Sequence, residues 1–598
     1  MKKIKIIFAT VMMFLFFTKD LKAQLKSEVQ TDGVFFKGSM RLDEIIKYDK
    51  LHPINKDKIK KAPNPPFIEE NIIEGNKRIG LKAETMLIPN NITKVNGLQK
   101  NSSRQISGVN SCVGFESTQS NLTSYPPDVH GAVGFDHLVT TLNTEVRIQD
   151  KLGNIVSTVG LENFFTATGE TDCFDPRIMY DQLSNRFFFM ACVARRSATS
   201  GFVIAASQTP DPTGAWNFYK IDADPADTLW FDYGNMGFSN DKICISGNMF
   251  NNVSNLAGDN GRLFTISKAN LINGVALGTV TRTRGIAYNT CPALSFVNSG
   301  TCYAISVQSS SAAQLILYSI TGTPTAPTIS TNGTVDYGAG NGWHYGLGDT
   351  LPQSGTTRRI DGGDDRIQSA VFRNGKIFWA NNFYWPLAAP TYCGIQYGTF
   401  TANTRATINF AGIWNATGDE MFCYPNLAVN ADEDVAVAFS YFSKTTFPSA
   451  AVAYGTNSLS LNYNITAAGG KKYLNWIDNS GQLRWGDYMS ASVDPTDDKG
   501  MWTLSEYSKT DAFQYRWSTW WAKVCPNNCF IDYNLTFNLP ANSVKKYEAT
   551  NSITSSAIIN NSSFVKYDAG SVITLSPGFV ATVGCNYRAF IEGCGGNQ

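Results

Sequence analysis

The chain has 598 residues, a length that suits several domains unless one large repeat takes up most of it. Its 50 Lys and Arg residues balance 49 Asp and Glu residues, so no long-range field attracts nucleic acid or an anionic membrane. Fifty glycines, 12% aromatic residues and only 17% charged residues favour short strands joined by tight turns over amphipathic helices.

Residues 1–23 have the layout of a secretory signal peptide. Three lysines precede an apolar run at 6–17, and Ala23 offers a small residue for cleavage. The run is shorter than the roughly 20 residues that span a bilayer, and no other stretch approaches that length. The sequence therefore predicts secretion to the extracellular space or cell surface, with no transmembrane segment in the mature chain.

Residues 24–105 differ in composition from the rest. Lysines are frequent and aromatic residues are sparse, and the stretch KDKIKKAPNPPF joins a charged run to a proline-rich one. Such a composition predicts a largely irregular N-terminal arm, or a pro-like segment, in contact with solvent.

Between about residues 128 and 505 one phrase recurs seven times: an apolar strand, a polar turn, and a second strand rich in aromatic or β-branched residues. The copies are GAVGFDHLVTTLN, IMYDQLSNRFFFMAC, MGFSNDKICISG, LSFVNSGTCYAISV, SAVFRNGKIFWAN, LAVNADEDVAVAFS and SASVDPTDDKGMWTLSE. This pattern predicts an all-β fold, a seven-bladed β-propeller over residues 106–525. Because an open ring would leave unpaired strand edges, we expect Cys112–Phe115 and Trp517–Val524 to lie in the same or adjacent blades.

Residues 530–598 follow a simpler rule. From Val565 to Ile591 the apolar residues fall on odd positions, and glycines at 570, 578 and 584 interrupt the pattern. One face of a strand pattern is therefore apolar throughout. The segment is predicted to be a small β-rich module of short stacked hairpins.

Twelve cysteines in an exported chain favour disulfides over metal ligation. The candidates are Cys173 with Cys192 around the second hairpin, Cys291 with Cys302 around the fourth, and, near the C terminus, Cys525, Cys529, Cys585 and Cys594.

No metal site is predicted, because the CPNNC motif has no second half-site and the four histidines are scattered. No cofactor is expected either. The spacing of Asn430, Asp432 and Asp434 superficially resembles a calcium loop, but it lacks the glycine of that loop. A hairpin turn is the preferred interpretation, and a structural Ca²⁺ is the alternative.

Five of the seven units place an aspartate just before the first strand: Asp128, Asp175, Asp232, Asp365 and Asp487. If these side chains face the axis, they form a ligand site together with Arg177. Otherwise they accept hydrogen bonds from turn amides.

The loop GAGNGWHYGLGD at residues 338–349 is a second candidate binding element. Its glycines allow a ligand to approach the backbone closely, and Trp343, His344 and Tyr345 offer rings and polar atoms for stacking on a sugar. A surface insertion without function is the alternative.

Two parts of the chain resemble known families. The runs Ala569–Phe579 and Tyr587–Ile591 resemble the three-coathanger stack domain of secreted Bacteroidetes-type proteins. The phrases FDPRIMYD at 174–181 and RWGDYMSASVDP at 484–495 resemble a family of bacterial secreted seven-bladed propellers. The resemblance implies an exported or surface protein with an accessory module, and it carries over no catalytic residue.

These observations favour a secreted or cell-surface binding and adhesion protein that recognises a glycan or another protein. The sequence has no Gly-x-Ser-x-Gly, His-Glu-x-x-His or P-loop motif. The alternative is a secreted carbohydrate-active enzyme, a glycoside hydrolase or sialidase-like protein, with carboxylates at the axis.

Overall fold

The computed structural model describes residues 23–25, 27–30, 33–54, 60–61, 93–94, 109–255, 257–309, 314–336, 349–385, 391–455, 462–474, 483–510, 516–526, 530–541 and 543–591. Among these residues no helix is long and apolar enough to cross a membrane.

Strands dominate the first third of the chain. Its elements are β1 (Ala23–Leu25), β2 (Ser27–Gln30), β3 (Val34–Arg41), α1 (Leu42–Leu51), β4 (Lys60–Lys61), β5 (Thr93–Lys94), β6 (Val109–Gln119), β7 (Ser124–Tyr125), β8 (His130–Val133), β9 (His137–Thr141), β10 (Glu145–Asp150), β11 (Ile155–Gly160), α2 (Leu161–Phe164), a 3-10 turn at Thr166–Thr168, β12 (Cys173–Asp181), β13 (Arg186–Val193), β14 (Gly201–Ser207) and β15 (Ala215–Asp222).

The middle third continues in the same way. Its elements are β16 (Leu229–Phe238), β17 (Lys242–Asn251), β18 (Ala257–Ser267), α3 (Lys268–Asn273), β19 (Val280–Ile286), β20 (Cys291–Pro292), β21 (Leu294–Ser295), β22 (Cys302–Ser309), β23 (Gln314–Thr323), β24 (Ala326–Asp336), β25 (Asp349–Leu351), β26 (Ile360–Asp361), β27 (Ile367–Arg373), β28 (Lys376–Trp385), β29 (Tyr392–Thr401) and β30 (Thr407–Ile413).

The last third completes the ring and adds the C-terminal module. Its elements are β31 (Glu420–Val429), β32 (Val435–Ser443), β33 (Ser449–Gly455), β34 (Asn462–Ala467), β35 (Ser490–Val493), β36 (Met501–Ser508), β37 (Trp517–Pro526), β38 (Phe530–Leu535), β39 (Asn538–Leu539), β40 (Val544–Ser555), β41 (Ile558–Ile559), β42 (Phe564–Ala569), β43 (Val572–Leu575), β44 (Val580–Ala581) and β45 (Asn586–Phe590).

The fold is an all-β propeller built from four-stranded antiparallel meanders, as the repeats predict. Five separate sheets have this form: β8 to β11, β12 to β15, β20 with β22 to β24, β31 to β34, and β35 to β37 with β6. The meanders β16 to β19 and β27 to β30 belong to one larger sheet, because β21 pairs in parallel with both β16 and β27. The strand pairing thus separates five blades, not the seven that the sequence predicts.

The ring closes with a strand from the start of the repeat region. Trp521 of β37 lies opposite Phe115 of β6, and Lys523 lies opposite Val113. The N-terminal strand therefore completes the last sheet of the ring. The expected pairing of these two segments is confirmed, and it removes the open edge that would otherwise invite aggregation.

Three segments from the predicted irregular arm add outer strands to the propeller. β1 pairs with β24, β2 with β19 and β3 with β15, all antiparallel. Helix α1 follows β3 and buries Leu42 and Ile45. Its first turn is capped where the Arg41 amide donates to the Glu44 carboxylate at 2.8 Å. The described parts of this arm thus differ from the expectation of irregular structure.

The hydrophobic core lies between neighbouring blades, because both faces of a central strand are covered by other strands. Phe187, Phe188 and Phe189 of β13 are all fully buried. Phe188 packs in one apolar cluster, and its two neighbours pack in another. Successive side chains of a strand point to opposite faces of the sheet. The three phenylalanines therefore fill the apolar clusters on both faces of this blade.

The C-terminal module is built from parallel strands rather than the predicted hairpins. β40 pairs in parallel with β38, β42 and β43, and β42 pairs in parallel with β45. Its core contains Ile553, Val565 and Tyr567, whereas Val583 and Ile591 are exposed. Alternating apolar residues fit either strand direction, which is why the pattern did not distinguish them.

The predicted disulfides within hairpins are wrong. The described cysteines Cys192, Cys291 and Cys302 are free thiols, which leaves neither predicted pair bonded. Cys173 lies opposite Val193, so Cys192 is one residue out of register and belongs to a different apolar cluster. Cys291 and Cys302 are likewise in different clusters. Adjacent positions face opposite sides of a sheet, which separates both pairs.

Of the four C-terminal candidates, Cys585 is a free thiol. The side chain of Cys525, together with Cys529 and Cys594, lies outside the described residues.

Candidate functional site

An axial channel runs through the propeller. It is lined by the inner strands β8, β12, β16, β20, β27, β31 and β35, and its water-accessible volume is only about 50 Å³. His130, Arg177 and Gln368 are among the polar residues on its wall. We call the end at which these strands begin the mouth of the channel.

Several inner strands begin with an unusual backbone. Asp128, Asp175, Tyr233 and Tyr424 have φ values of 49°, 50°, 52° and 62°. This left-handed conformation is uncommon for residues other than glycine, although Asp adopts it more readily than most. The register of β12 with β13 shifts at the same place, after Phe174. Such bulges redirect side chains and are frequent next to binding sites.

Asp128 and Asp175 are joined at the mouth by one amide. The Asn143 side chain donates from Nδ2 to Asp128 Oδ2 at 2.6 Å, and its Oδ1 accepts the backbone N–H of Asp175 at 2.8 Å. The Asp487 amide donates to the other oxygen of Asp128 at 3.0 Å. Three predicted aspartates thus converge through hydrogen bonds that fix their positions.

Burial shifts the ionisation of this group. Desolvation, with Asp487 and Asp175 nearby, holds the pKa of Asp128 well above its usual range. Desolvation and Asp487 raise the pKa of Asp175 to about 6. Desolvation and Asp175 raise the pKa of Asp232 to about 8. Asp175 and Asp232 therefore titrate closer to neutral pH than an exposed aspartate does.

The other side of the mouth carries ion pairs. Arg484 Nη2 donates to Asp487 Oδ1 at 2.6 Å, and its Nε lies 3.7 Å from Asp361 Oδ2. Arg366 makes a two-pronged contact with Asp364, with both N–O distances at 2.6 Å. These guanidinium groups already neutralise carboxylates of the chain. They are therefore not a free cluster for gripping an anionic ligand.

Aromatic rings and a buried arginine lie between the two sides. The Arg177 guanidinium is 3.4 Å from the ring centroid of Tyr488, and Arg366 is 4.1 Å from that of Tyr233. The two rings are 5.9 Å apart, edge to face. Among the described residues, Arg177 Nη2 and the Tyr488 hydroxyl are buried without a hydrogen-bond partner. Unpartnered buried donors of this kind are rare in folded proteins.

Glu506 is a further buried carboxyl at the mouth. It is fully buried, and neither of its side-chain oxygens has a hydrogen-bond partner within the described part of the chain. Desolvation, with Asp128 nearby, holds its pKa well above the usual range. A Cβ placed on Gly486 would lie 3.2 Å from Glu506 Oε2, so glycine leaves space beside this carboxyl.

A polar groove adjoins the mouth through Asn143. Its walls include Thr123, Thr144, Asn163 and Thr171, with His52, Pro53 and Ile54 of the N-terminal arm on one side, and its water-accessible volume is about 420 Å³. Asn163 Nδ2 donates to Asp49 Oδ1 and to the His52 carbonyl, both at 2.8 Å. These bonds hold the arm against the groove.

The predicted ligand residues have three outcomes. Asp128, Asp175, Asp232, Asp487 and Arg177 come together at the mouth. At the fifth position Asp365 is buried, but the carboxylate paired with Arg366 is that of Asp364. Trp343, His344 and Tyr345 lie outside the described residues.

Sequence reasoning missed Asn143, Tyr233, Arg484, Tyr488 and Glu506. Two of them carried a visible signal, since Asp232-Tyr233 and Asp487-Tyr488 repeat the same dipeptide at the start of an inner strand. Glu506 had no such signal, because it lies in the second strand of its meander, where apolar and polar residues alternate in the usual way.

No group of three or more His, Cys, Asp or Glu in the described ranges is arranged to hold a metal ion. Asn430 instead caps a turn, since its Oδ1 accepts the amides of Asp432 and Asp434 at 3.0 and 2.8 Å. The hairpin-turn interpretation of this spacing is confirmed.

No protein-family model matches this sequence, and no curated protein matches it. Solved structures with similar folds include the NanB sialidase of Streptococcus pneumoniae, with 6% identity, a TM-score of 0.33 and coverage of 65% of this chain and 82% of that one. A thermostable family-43 glycoside hydrolase has 12% identity, a TM-score of 0.26 and coverage of 59% and 88%. An apocarotenoid oxygenase of Synechocystis has 11% identity, a TM-score of 0.23 and coverage of 58% and 62%. At these values the likeness carries no argument about ligand or activity.

Proposed function

We propose that this chain is an exported binding protein that recognises a glycan at the mouth of the axial channel. The observation that carries the proposal is the set of buried polar atoms there without a partner: Arg177 Nη2, the Tyr488 hydroxyl and the Glu506 carboxyl. Sugar hydroxyls both donate and accept hydrogen bonds, so a glycan satisfies donors and acceptors of this kind together.

The balance of charge supports a neutral ligand. Arg366 and Arg484 are paired with Asp364 and Asp487 at 2.6 Å, which leaves little free positive charge for an anion. The rings of Tyr233 and Tyr488 add apolar faces of the type that stack on sugar rings.

The polar groove supports an extended glycan rather than a single sugar. Asn143 belongs both to the groove wall and to the hydrogen bonds of Asp128 and Asp175. A chain that starts at the mouth therefore continues past Thr144, whose buried hydroxyl has no hydrogen-bond partner within the described residues. Its further units contact the N-terminal arm at His52.

We propose that binding takes place outside the cell, in adhesion to glycans or glycosylated surface proteins. The signal-like layout of residues 1–23 supports export. We also propose a ring of seven blades, with the large sheet counted as two, because seven inner strands line one channel. The C-terminal module would be an accessory domain of the three-coathanger type.

Glycoside hydrolysis is the second candidate function. One observation favours it: burial and neighbouring charge raise the pKa of Asp175 to about 6 and that of Asp232 to about 8. A carboxyl that titrates near neutral pH can act as a general acid or base.

A glycan array with the purified exported chain tests the proposal, with a parallel assay for released reducing sugar. We expect retention on a defined set of neutral glycans and weaker retention of Asp175→Asn. Asp419→Asn, at an exposed carboxylate paired with Lys444, is the matched control and should bind normally. Absence of retention on every glycan would refute the proposal, and release of sugar that Asp175→Asn abolishes would replace it with hydrolysis.

A further inference from the structure

Two cysteines from neighbouring meanders meet close to the mouth. Cys393 lies on β29 and Cys423 on β31, and both side chains are fully buried. Their Sγ atoms are 2.7 Å apart. Even unbonded carbon atoms, which are smaller than sulfur, pack at about 3.5 to 4.0 Å. The fold therefore leaves no room for two ordinary unbonded thiols at this seam.

We infer that Cys393 and Cys423 form a disulfide in the exported protein, across the seam between the two meanders. The bond forms by exchange with a disulfide of an oxidoreductase in the compartment of export. A cysteine thiolate attacks that disulfide, and the second cysteine then displaces the carrier from the mixed disulfide. Two protein thiols are oxidised to one disulfide, and the carrier disulfide is reduced to two thiols.

The face that each side chain occupies explains why this pair is favoured over the pairs closer in sequence. Cys393 and Cys423 belong to one apolar cluster, whereas Cys173 and Cys192 lie on opposite faces of a single blade. A disulfide needs Cβ atoms that point toward each other. The seam between the two meanders brings two such faces together at Cys393 and Cys423.

The bond would anchor the arginine side of the mouth. Cys423 precedes Tyr424, whose amide donates to Asn382 Oδ1 at 2.8 Å and whose hydroxyl donates to the Asp361 carbonyl at 2.7 Å. Tyr384, packed in the same cluster, donates to the Gly362 carbonyl at 2.6 Å. The end of β26 at Asp361 and the turn that follows it, which carries Asp364, are therefore held by residues beside the two sulfurs.

Burial also dictates when the bond forms. Desolvation, together with Cys393, holds the pKa of the Cys423 thiol well above its usual range. Because the thiolate is the reactive species, the folded protein exchanges slowly. Oxidation is therefore expected during folding, before the seam closes, and the finished bond should resist mild reductants until the chain unfolds.

Peptide mapping of the full exported chain tests the inference. The protein is unfolded in the presence of N-ethylmaleimide without reductant and digested with trypsin, which cuts after Lys376, Arg405 and Lys444. We expect peptides 377–405 and 406–444 to appear as one linked species that separates on reduction. Cys192, a buried free thiol, is the internal control and should be alkylated. Alkylation of both Cys393 and Cys423 would overturn the inference.

Thermal unfolding of the same protein gives a second readout. When the wild type is unfolded, reduced and then refolded in the presence of reductant, its melting temperature should fall by several degrees. It should have no such effect on the double variant Cys393→Ser and Cys423→Ser. An equal shift in both proteins would count against a bond at this seam. Both results are independent of glycan binding, so they separate this inference from the proposed function.

Discussion

The two sides of the channel mouth hold their carboxyl groups in opposite ways. On the aspartate side, Asp128, Asp175 and Glu506 are buried, and burial raises the pKa of each. On the arginine side, Asp487 and Asp364 accept direct hydrogen bonds from guanidinium groups at 2.6 Å. The comparison shows that carboxyl groups at the mouth can have two roles. Those paired with an arginine of the chain stabilise the fold, and those without such a partner remain available to a ligand.

The arginine side behaves as a scaffold, because its charges satisfy each other. The aspartate side retains unmet hydrogen-bonding capacity, and burial raises the pKa values of its carboxyls. A ligand therefore gains most on the aspartate side. Substitutions of the arginine-side ion pairs should mainly change stability, and substitutions of the carboxyl groups on the aspartate side should mainly change binding and pH dependence.

The largest expected effect is the loss of Arg484. Replacing it with Met leaves Asp487 and Asp361 without their guanidinium partner, and breaking a buried pair of this kind costs about 3–5 kcal/mol. Urea denaturation measures the free energy of unfolding. Restoring most of the loss by adding Asp487→Asn would show that the unpaired charge, rather than lost packing, is the cause.

Asn143→Ala should have the next largest effect. It removes the bond to Asp128 and leaves the Asp175 amide unpaired, which we expect to cost about 2–3 kcal/mol. Asn154→Ala, which loses a bond to the exposed Asp150, is the matched control. Equal losses in the two variants, measured by the same denaturation, would mean that the aspartate side is not held by Asn143.

Glu506→Gln should change the pH dependence of stability. Since the folded-state pKa of Glu506 lies above its unfolded value of about 4.3, folding takes up a proton. The favourable contribution of this group is complete below that value and is lost as pH rises through the folded pKa. The free energy of unfolding of the variant, relative to that of the wild type, should therefore be higher at pH 8 than at pH 4.

Unfolding free energies at the two pH values provide the measurement for Glu506→Gln. Asp419→Asn, at an exposed carboxylate paired with Lys444, should show no comparable change with pH. A difference between variant and wild type that is the same at pH 4 and pH 8 would exclude a buried neutral carboxyl at position 506.

The smallest effect is expected far from the mouth. Lys444 and Asp419 form a 2.7 Å pair with side chains that are 48% and 57% exposed. Exposed pairs of this kind contribute about 0–1 kcal/mol. Lys444→Met should therefore leave both stability and glycan retention nearly unchanged. A loss similar to that of Arg484→Met would remove the distinction between buried and exposed pairs.

Local patterns predicted much of the ring. The strand and turn phrases fold as hairpins, as in β12 and β13, where Tyr180 lies opposite Phe187. The pairing of β6 with β37 could also be predicted from the sequence, because a ring of blades without it would leave unpaired strand edges. The added strands β1 to β3 did not follow, since each pairs with a strand more than 170 residues away. Nothing local specifies such a partner.

The site was predicted in part, for a related reason. Asp128, Asp175, Asp232 and Asp487 share a position in the repeat, so symmetry brings them together. Arg484 and Glu506 have no such recurring position, and their roles depend on contacts between different units. The hairpin disulfides were wrong because distance in sequence was considered without the face that each cysteine occupies.

Glycan retention as a function of pH tests the central claim most directly. With an array glycan that the wild type binds, retention should change in a step near pH 6, the pKa to which desolvation and Asp487 raise Asp175. Asp175→Asn should abolish the step, and Asp419→Asn should preserve it. A retention profile that is flat from pH 5 to 8, or one that Asp175→Asn leaves intact, would contradict a binding site at the mouth of the channel.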